Sequence, residues 1–467
     1  MEQPSKKGLQ IGTKSFFAAI LVICLLMAAT YLLTHIVPAG EYPRILDENG
    51  NTVIDTEGGF TYVEGGISFG KWLLSPILVL GSAGSGSLIA VIAFLLVIGG
   101  IFNALDRCGL IRYMLERLSQ RFGTKRYRLL AVILLFFMTL GAAIGSFEEC
   151  VPLVPLVVAL AIHLGWDTFT GIGMSLLAVG CGFASGVCNP FTVGVAQQLA
   201  GLPMFSGIWL RLLSFLLIYL LLAVFVILHA KKVERPIVDE LRTDTPTTDP
   251  HMNRGLVSFV LLLGIGLVTI LCSGFLPILQ DYTMIIVAVM FLVAGIVSTL
   301  LCGMGGTALA KAFGRGVVSI LPAILMILMA SSISYTMEEA KILDTLLYSI
   351  MNLIGVLPRW SVILCIYFMV LIANFFIPSG SAKAFMMIPL LVPIADMLGI
   401  SIQLCIVAFA FGDGFSNVFY PTNPALLISL GLANTGYPSW FKWSYKFQLL
   451  NLLLTAGILL LGLAVGY

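Results

Sequence analysis

Four ionisable side chains, Glu148, Glu149, Lys383 and Asp413, stand in stretches otherwise apolar enough for a bilayer interior. A charge near the bilayer centre costs about 2.5–3.5 kcal/mol even on insertion scales, so such groups either pair within the protein or handle a solute. The same stretches carry Ser146, Asn189, Thr192, Ser379, Gly380, Ser381, Asn417, Thr422 and Asn423. Hydroxyls and carboxamides replace a solute's hydration shell at no net charge, and glycine lets the solute approach the backbone. This is binding chemistry. Bond-breaking chemistry lacks its parts, because His35, His163, His229 and His251 form no HExxH and none stands beside a Gly-x-Ser-x-Gly elbow. The nine cysteines show neither CxxC nor His-linked spacing. They read as reduced packing residues, with no metal site, disulfide framework or cofactor.

The roles divide by charge. Lys383 can meet a substrate carboxylate, stand where a related protein holds a cation, or bridge to Glu148 or Glu149 and pin the structure. Glu148 and Glu149 can hold an amino or guanidinium group, or carry a coupling proton. Glu149 and Asp413 are the candidates for a coupling ion, Na+ or H+. Asp413, between Gly412 and Gly414, has the equal alternative of bonding a distorted helix turn. Asn189 and Asn423 each precede a proline, which removes a backbone donor and stops regular helix, so they can also satisfy freed backbone groups. Asp167 reads as a helix N-cap and His163 as structural.

The elements that must position these residues occur twice. GSFEECVPLVPLV at 145–157 is followed by SGVCNPFTVG at 185–194; SGSAKAFMMIPLLVPI at 379–394 is followed by SNVFYPTNPALL at 416–427. Each copy runs from a Ser/Gly tip through paired prolines and a return helix to an Asn-Pro break, and the two asparagines lie 234 positions apart. Non-helical backbone survives at membrane depth only where it lines a polar cavity. Matching interruptions in two halves therefore point to a transporter's solute site.

Composition fixes the class. With 59% hydrophobic and 10% charged residues over 467 positions, the chain is a polytopic membrane protein. A net charge of +2 gives no reason to expect a nucleic-acid partner. Lys and Arg concentrate at 107–128 and 231–254, which marks those loops, and the N-terminus before them, as cytoplasmic. Residues 38–71 are acidic and Gly-rich, and should form an extracytoplasmic, hairpin-like cap.

The expected organisation is all-α: a first transmembrane helix over 1–37, the cap at 38–71 and a first repeat over 72–229. Within that repeat a re-entrant hairpin spans about 128–164 and a broken helix about 168–201. A linker at 230–253 and connecting helices at 254–302 lead to a second repeat over 303–467, with its hairpin at about 360–398 and its broken helix at about 402–433. The extra helix in between inverts the second copy and places the C-terminus outside.

VPAGEY at 37–42, GSFEE with its two prolines, CNPFTVG and SGSAKA together resemble the YfcC-type family of the ion-transporter superfamily. Its members are four-carbon-dicarboxylate anaerobic carriers, with arginine/ornithine antiporters as relatives. The resemblance implies inverted repeats around one central site, a homodimer in a bacterial inner membrane, and a small carboxylate or amino acid as substrate. It implies secondary transport by alternating access of elevator type. A basic amino acid or ornithine antiporter is the alternative to an ion-coupled dicarboxylate symporter, and a channel is the remote one. The paired Ser-Asn-Thr tips of the sodium-coupled branch are not intact here, where the tips read Ser146-Phe147-Glu148 and Ser379-Gly380-Ser381.

Overall fold

The computed structural model describes residues 13–46, 52–55, 58–82, 85–114, 117, 125–145, 147–235, 249–273, 283–354 and 358–467. The helices of the first half are α1 (Thr13–Ile36), α2 (Phe69–Leu78), α3 (Ser85–Arg107), α4 (Arg126–Ile144), α5 (Val154–His163), α6 (Thr168–Ser185), α7 (Val195–Leu199) and α8 (Ile208–Val233). Next come α9 (Pro250–Ser273) and α10 (Thr283–Leu301). The second half has α11 (Gly306–Glu339), α12 (Leu343–Ile354), α13 (Arg359–Phe376), α14 (Gly380–Met397), α15 (Ile402–Asn417), α16 (Pro424–Leu432) and α17 (Tyr437–Val465).

Eight of the described helices are long and apolar enough to cross a membrane. They include α4, α13 and α14, whose apolar windows of 18 residues each reach about 27 Å at 1.5 Å per residue. Length alone therefore does not separate the expected hairpins from full spans. The linker at 230–253 falls largely outside the described residues.

The two broken helices form the centre. Every residue of α15 from Leu404 to Asn417 is buried, and so is α6 from Thr170 to Ser185. A helix that is apolar or small on all sides can be covered on all sides. Glycine makes this possible: a Cβ at Gly414 would enter the Ala184 backbone, and one at Gly182 would strike the Met138 carbonyl of α4. Within α6 the turn Gly173–Leu177 widens to π geometry, of the kind that often marks functional helices.

Both breaks close in specific ways. The α6 helix ends on Gly186 at φ +55°, a left-handed conformation that glycine adopts without strain. The Cys188 N–H then donates to the Ala142 carbonyl at 2.9 Å, tying the break to the end of α4. At the second break, Trp440 Nε1 and Tyr437 Oη of α17 donate to the carbonyls of Val418 and Phe419, both at 2.9 Å. Carbonyls freed from helix geometry thus find donors from outside the helix.

Residues 40–62 carry two short antiparallel pairs, β1 (Gly40–Glu41) with β4 (Thr61–Tyr62) and β2 (Arg44–Leu46) with β3 (Thr52–Ile54), which form a cap over α12. Asp344 of α12 anchors it, accepting from the Tyr42 N–H at 2.9 Å and from Arg44 Nη2 at 2.9 and 3.0 Å. Phe60 stacks on Tyr348 with centroids 4.2 Å apart.

Candidate functional site

The chain from α13 to α14 turns at Pro378-Ser379. Ser379 caps α14, its Oγ accepting the Ala382 N–H at 3.4 Å. One turn further on, Lys383 reverses back under the tip. Its Nζ donates to the Ile377 carbonyl at 2.6 Å and to Asn374 Oδ1, and lies 2.6 Å from Asp413 Oδ1. Lys383 and Asp413 are both fully buried. The contact is a charge pair more than an aligned hydrogen bond, because neither Asp413 oxygen has an aligned donor among the described residues. The structure gives Lys383 an internal partner, Asp413, and shows no ion pair to Glu148 among the described residues. The reason is topological: α15 runs directly against α13 and α14. Asp413 is correspondingly more than a local brace for a distorted turn.

Asn374 is the hub that sequence reasoning missed. Its Nδ2 faces the Asp413 carbonyl at 3.0 Å, Ser416 Oγ at 2.6 Å and Asn417 Oδ1 at 2.9 Å. Two protons serve three acceptors, so one of these is an alternative at any moment. Asn417 Oδ1 also accepts from Asn423 Nδ2 at 3.1 Å, and Asn423 Oδ1 caps α16 through the N–H groups of Ala425 and Leu426 at 2.9 and 3.3 Å. A continuous polar chain therefore runs from Lys383 through Asn374 and Asn417 to Asn423. The available signal was an asparagine inside the apolar helix IANFF, where a carboxamide needs a buried partner. It has no polar counterpart at the matching position of the first half, Leu140, so symmetry could not reveal it.

The first half reaches the same place. A Cβ on Gly380 would lie 2.6 Å from Thr192 Cγ2 and 2.7 Å from Asp413 Oδ2, so the α14 N-terminus sits between the first break and the second broken helix. Asp413 thereby occupies the position that a helix N-terminus favours for an anion. Glu148 is half-buried and lies within electrostatic reach of Asp413. Asn189 Oδ1 accepts the Thr192 N–H at 3.4 Å, which shapes the wide turn Pro190–Gly194.

Most of the expected residues converge. Asn189, Thr192, Lys383, Asp413, Asn417, Thr422 and Asn423 are buried, Gly380 and Ser381 are half-buried, and Ser379 is exposed at the tip. The hydroxyls of Thr192 and Thr422 are buried without a hydrogen-bond partner among the described residues. Ser146 and the side chain of Glu149 lie outside the described residues.

A polytopic helical protein with a sealed polar chain where two interrupted helices cross belongs to the class of membrane transporters. The sequence matches the family described as DcuC, C4-dicarboxylate anaerobic carrier, over residues 16–465, and the chain belongs to that family. It is 30% identical over 383 residues to Escherichia coli (strain K12) YfcC, provisionally named a basic amino acid antiporter; the match covers 76% of this chain and 74% of YfcC. A Haemophilus influenzae (strain ATCC 51907 / DSM 11121 / KW20 / Rd) protein with no assigned function is 24% identical over 396 residues, covering 80% of this chain and 75% of that one. Two solved transporters give a TM-score below 0.5. The Alcanivorax borkumensis YdaH transporter scores 0.45 at 19% identity, with 97% of this chain and 99% of that chain covered. Neisseria gonorrhoeae MtrF, described among antimetabolite efflux pumps, scores 0.44 at 14% identity and 94% coverage of both.

Proposed function

We propose that the chain is a secondary active transporter of a small carboxylate-bearing solute. It works by alternating access around the Lys383–Asp413 pair, with two inverted repeats supplying the tips and breaks. The observation that carries this reading is the position of Asp413, which neutralises Lys383 while standing at the α14 N-terminus. A solute carboxylate has the same chemistry as that side chain. Binding at the tip can therefore exchange one carboxylate for another on Lys383 and the helix N-terminus, leaving Asp413 free to take a proton or cation. Buried ion pairs return little net stability after desolvation, so such an exchange is energetically accessible.

Charge balance favours an amino acid over a dicarboxylate. With Lys383 and Asp413 cancelling, Glu148 is the carboxyl left within electrostatic reach of the pair, and it is taken as ionised when substrate is bound. A dianion would meet repulsion there, whereas a basic amino acid offers its carboxylate to the tip and its cationic end to Glu148. The name of YfcC supports the same choice, while the family description supports the dicarboxylate.

The test is exchange in proteoliposomes loaded with arginine, ornithine or succinate, in sodium or in potassium only. Saturable arginine/ornithine exchange regardless of sodium, lost in Glu148→Gln, is the expected result. Sodium-stimulated succinate uptake without amino acid exchange would overturn the amino acid reading. Flux that rises linearly with concentration would point instead to a channel.

A further inference from the structure

Beside α17, and sharing only Ser416 with the Asn374 network, a cavity of about 360 Å³ lies between α13, α15 and α17. Its mouth is framed by Phe441, Tyr445 and Leu449, which are 42%, 37% and 57% exposed on an apolar helix of spanning length. The cavity therefore opens on the exposed face of α17, where Lys446 Nζ stands 6.0 Å from the Tyr445 ring centroid. Inside, the lining is aromatic and aliphatic except for Ser416, Gln448 and Asn451, and no lining residue carries a formal charge at neutral pH.

Asn451 is 1% exposed, yet neither its Oδ1 nor its Nδ2 has a hydrogen-bond partner among the described residues. Gln448 Nε2, one turn away on the same helix face, is in the same condition. Buried carboxamides are normally paired, and both of these line one cavity. An uncharged aromatic chamber with a donor and an acceptor at its wall fits a molecule with an apolar tail and one neutral head that both gives and takes a hydrogen bond. It does not fit the hydrophilic, charged solute of the central site.

We propose that this cavity binds a membrane-partitioned neutral amphiphile of the fatty-alcohol class, with its hydroxyl on Asn451 and its tail among the rings. Ser416 belongs both to the cavity and to the Asn374 network, so the occupant lies directly behind the buried polar chain.

The test uses the full chain in phosphatidylcholine nanodiscs with hexadecanol carrying a tail diazirine, mapping photoadducts by mass spectrometry. Adducts should saturate at the cavity residues of α13 and α17. At Leu453, 68% exposed on the same helix, they should rise linearly with probe. Asn451→Leu should weaken the saturable labelling about tenfold or more. Leu371→Trp, which fills the opposite wall, tests the same cavity with Asn451 intact and should abolish that labelling. Hexadecanoic acid with the same diazirine, ionised at pH 8, should label at least tenfold less. Cavity labelling that tracks Leu453, or that is unchanged in both variants, would reduce the feature to annular lipid. Stronger labelling by the acid would overturn the neutral head group.

Discussion

The balance at Lys383 and Asp413 is a question of partners. Removing one member of a buried pair strands the other charge and costs about 3–5 kcal/mol, whereas removing both is often close to neutral. Lys383→Met should therefore lower the heat-denaturation midpoint and the yield of folded protein sharply, while Lys383→Met with Asp413→Asn should recover most of both. If the pair exchanges with substrate, the double variant folds but does not transport. Normal exchange by the double variant would make the pair a structural pin only. Asn374→Leu removes an acceptor from Lys383 and donors from Asn417 and Ser416. Each buried partner left unsatisfied costs about 1–3 kcal/mol, so this variant should be less stable than one in which Asn417 alone is changed to Leu. Thermal unfolding of the two in the same detergent decides the order.

At the scale of elements, the sequence was legible wherever a break carried its own chemistry. Asn-Pro at Asn189 and Asn423, glycine at Gly186 and serine at Ser379 each announce a helix end through a local rule, and each lies where a helix stops or starts. The Asp167 cap was equally visible, accepting the Thr170 N–H at 2.9 Å. Partners distant in the chain were not legible: Lys383 meets Asp413, and Asp167 meets His229 at 3.0 Å, because helices pack so, and no spacing rule encodes that. Burial alone would raise the Asp167 carboxyl, but the His229 bond and the Thr170 N–H and hydroxyl outweigh it and hold it below the ordinary carboxylate range. A depressed folded value contributes stability above the unfolded carboxyl pKa of about 3.9, and that stability disappears as pH falls through the folded value. Asp167→Ala should thus cost about 1 kcal/mol near pH 7, as lost caps do, with the gap to wild type closing in acid below about pH 4. A gap independent of pH would mean that the carboxylate charge contributes nothing.

Gly380 tests whether the two halves operate as one site. The tip approaches Thr192 and Asp413 so closely that the methyl of alanine has no room without movement of the tip. Gly380→Ala should therefore insert and fold, since φ at this helix start is ordinary, yet exchange solute poorly. Thr192→Ser, which deletes the Cγ2 that the new methyl would strike, should restore part of the rate in the double variant. Loss of transport without any rescue would place the damage at Asp413 alone and leave the first half uninvolved.

For the whole molecule, the cap is the part whose effect reaches furthest from where it is anchored. Asp344 on α12 is buried and holds both the Tyr42 N–H and the Arg44 guanidinium, and Lys341 and Glu339 beside it pair with Glu41 and Lys71 at 2.9 and 2.6 Å. The last two pairs are exposed and worth little each. Asp344 differs, because its loss leaves a buried N–H without an acceptor, at a cost of about 1–3 kcal/mol. On its other side the cap packs Tyr42 and Ile54 against Leu390 of α14, the helix that carries Lys383. The strap therefore joins the corner of α11 and α12 to the middle of α14. Asp344→Ala should loosen that contact: limited proteolysis should cut residues 38–66 faster, and cysteines placed at Ile54 and Leu390 should cross-link less completely than with Asp344 intact. Asp344→Asn, which keeps an acceptor for the Tyr42 N–H and loses only the charge toward Arg44, should fall between. Unchanged cross-linking in Asp344→Ala would show that the aromatic stack of Phe60 on Tyr348 holds the strap unaided.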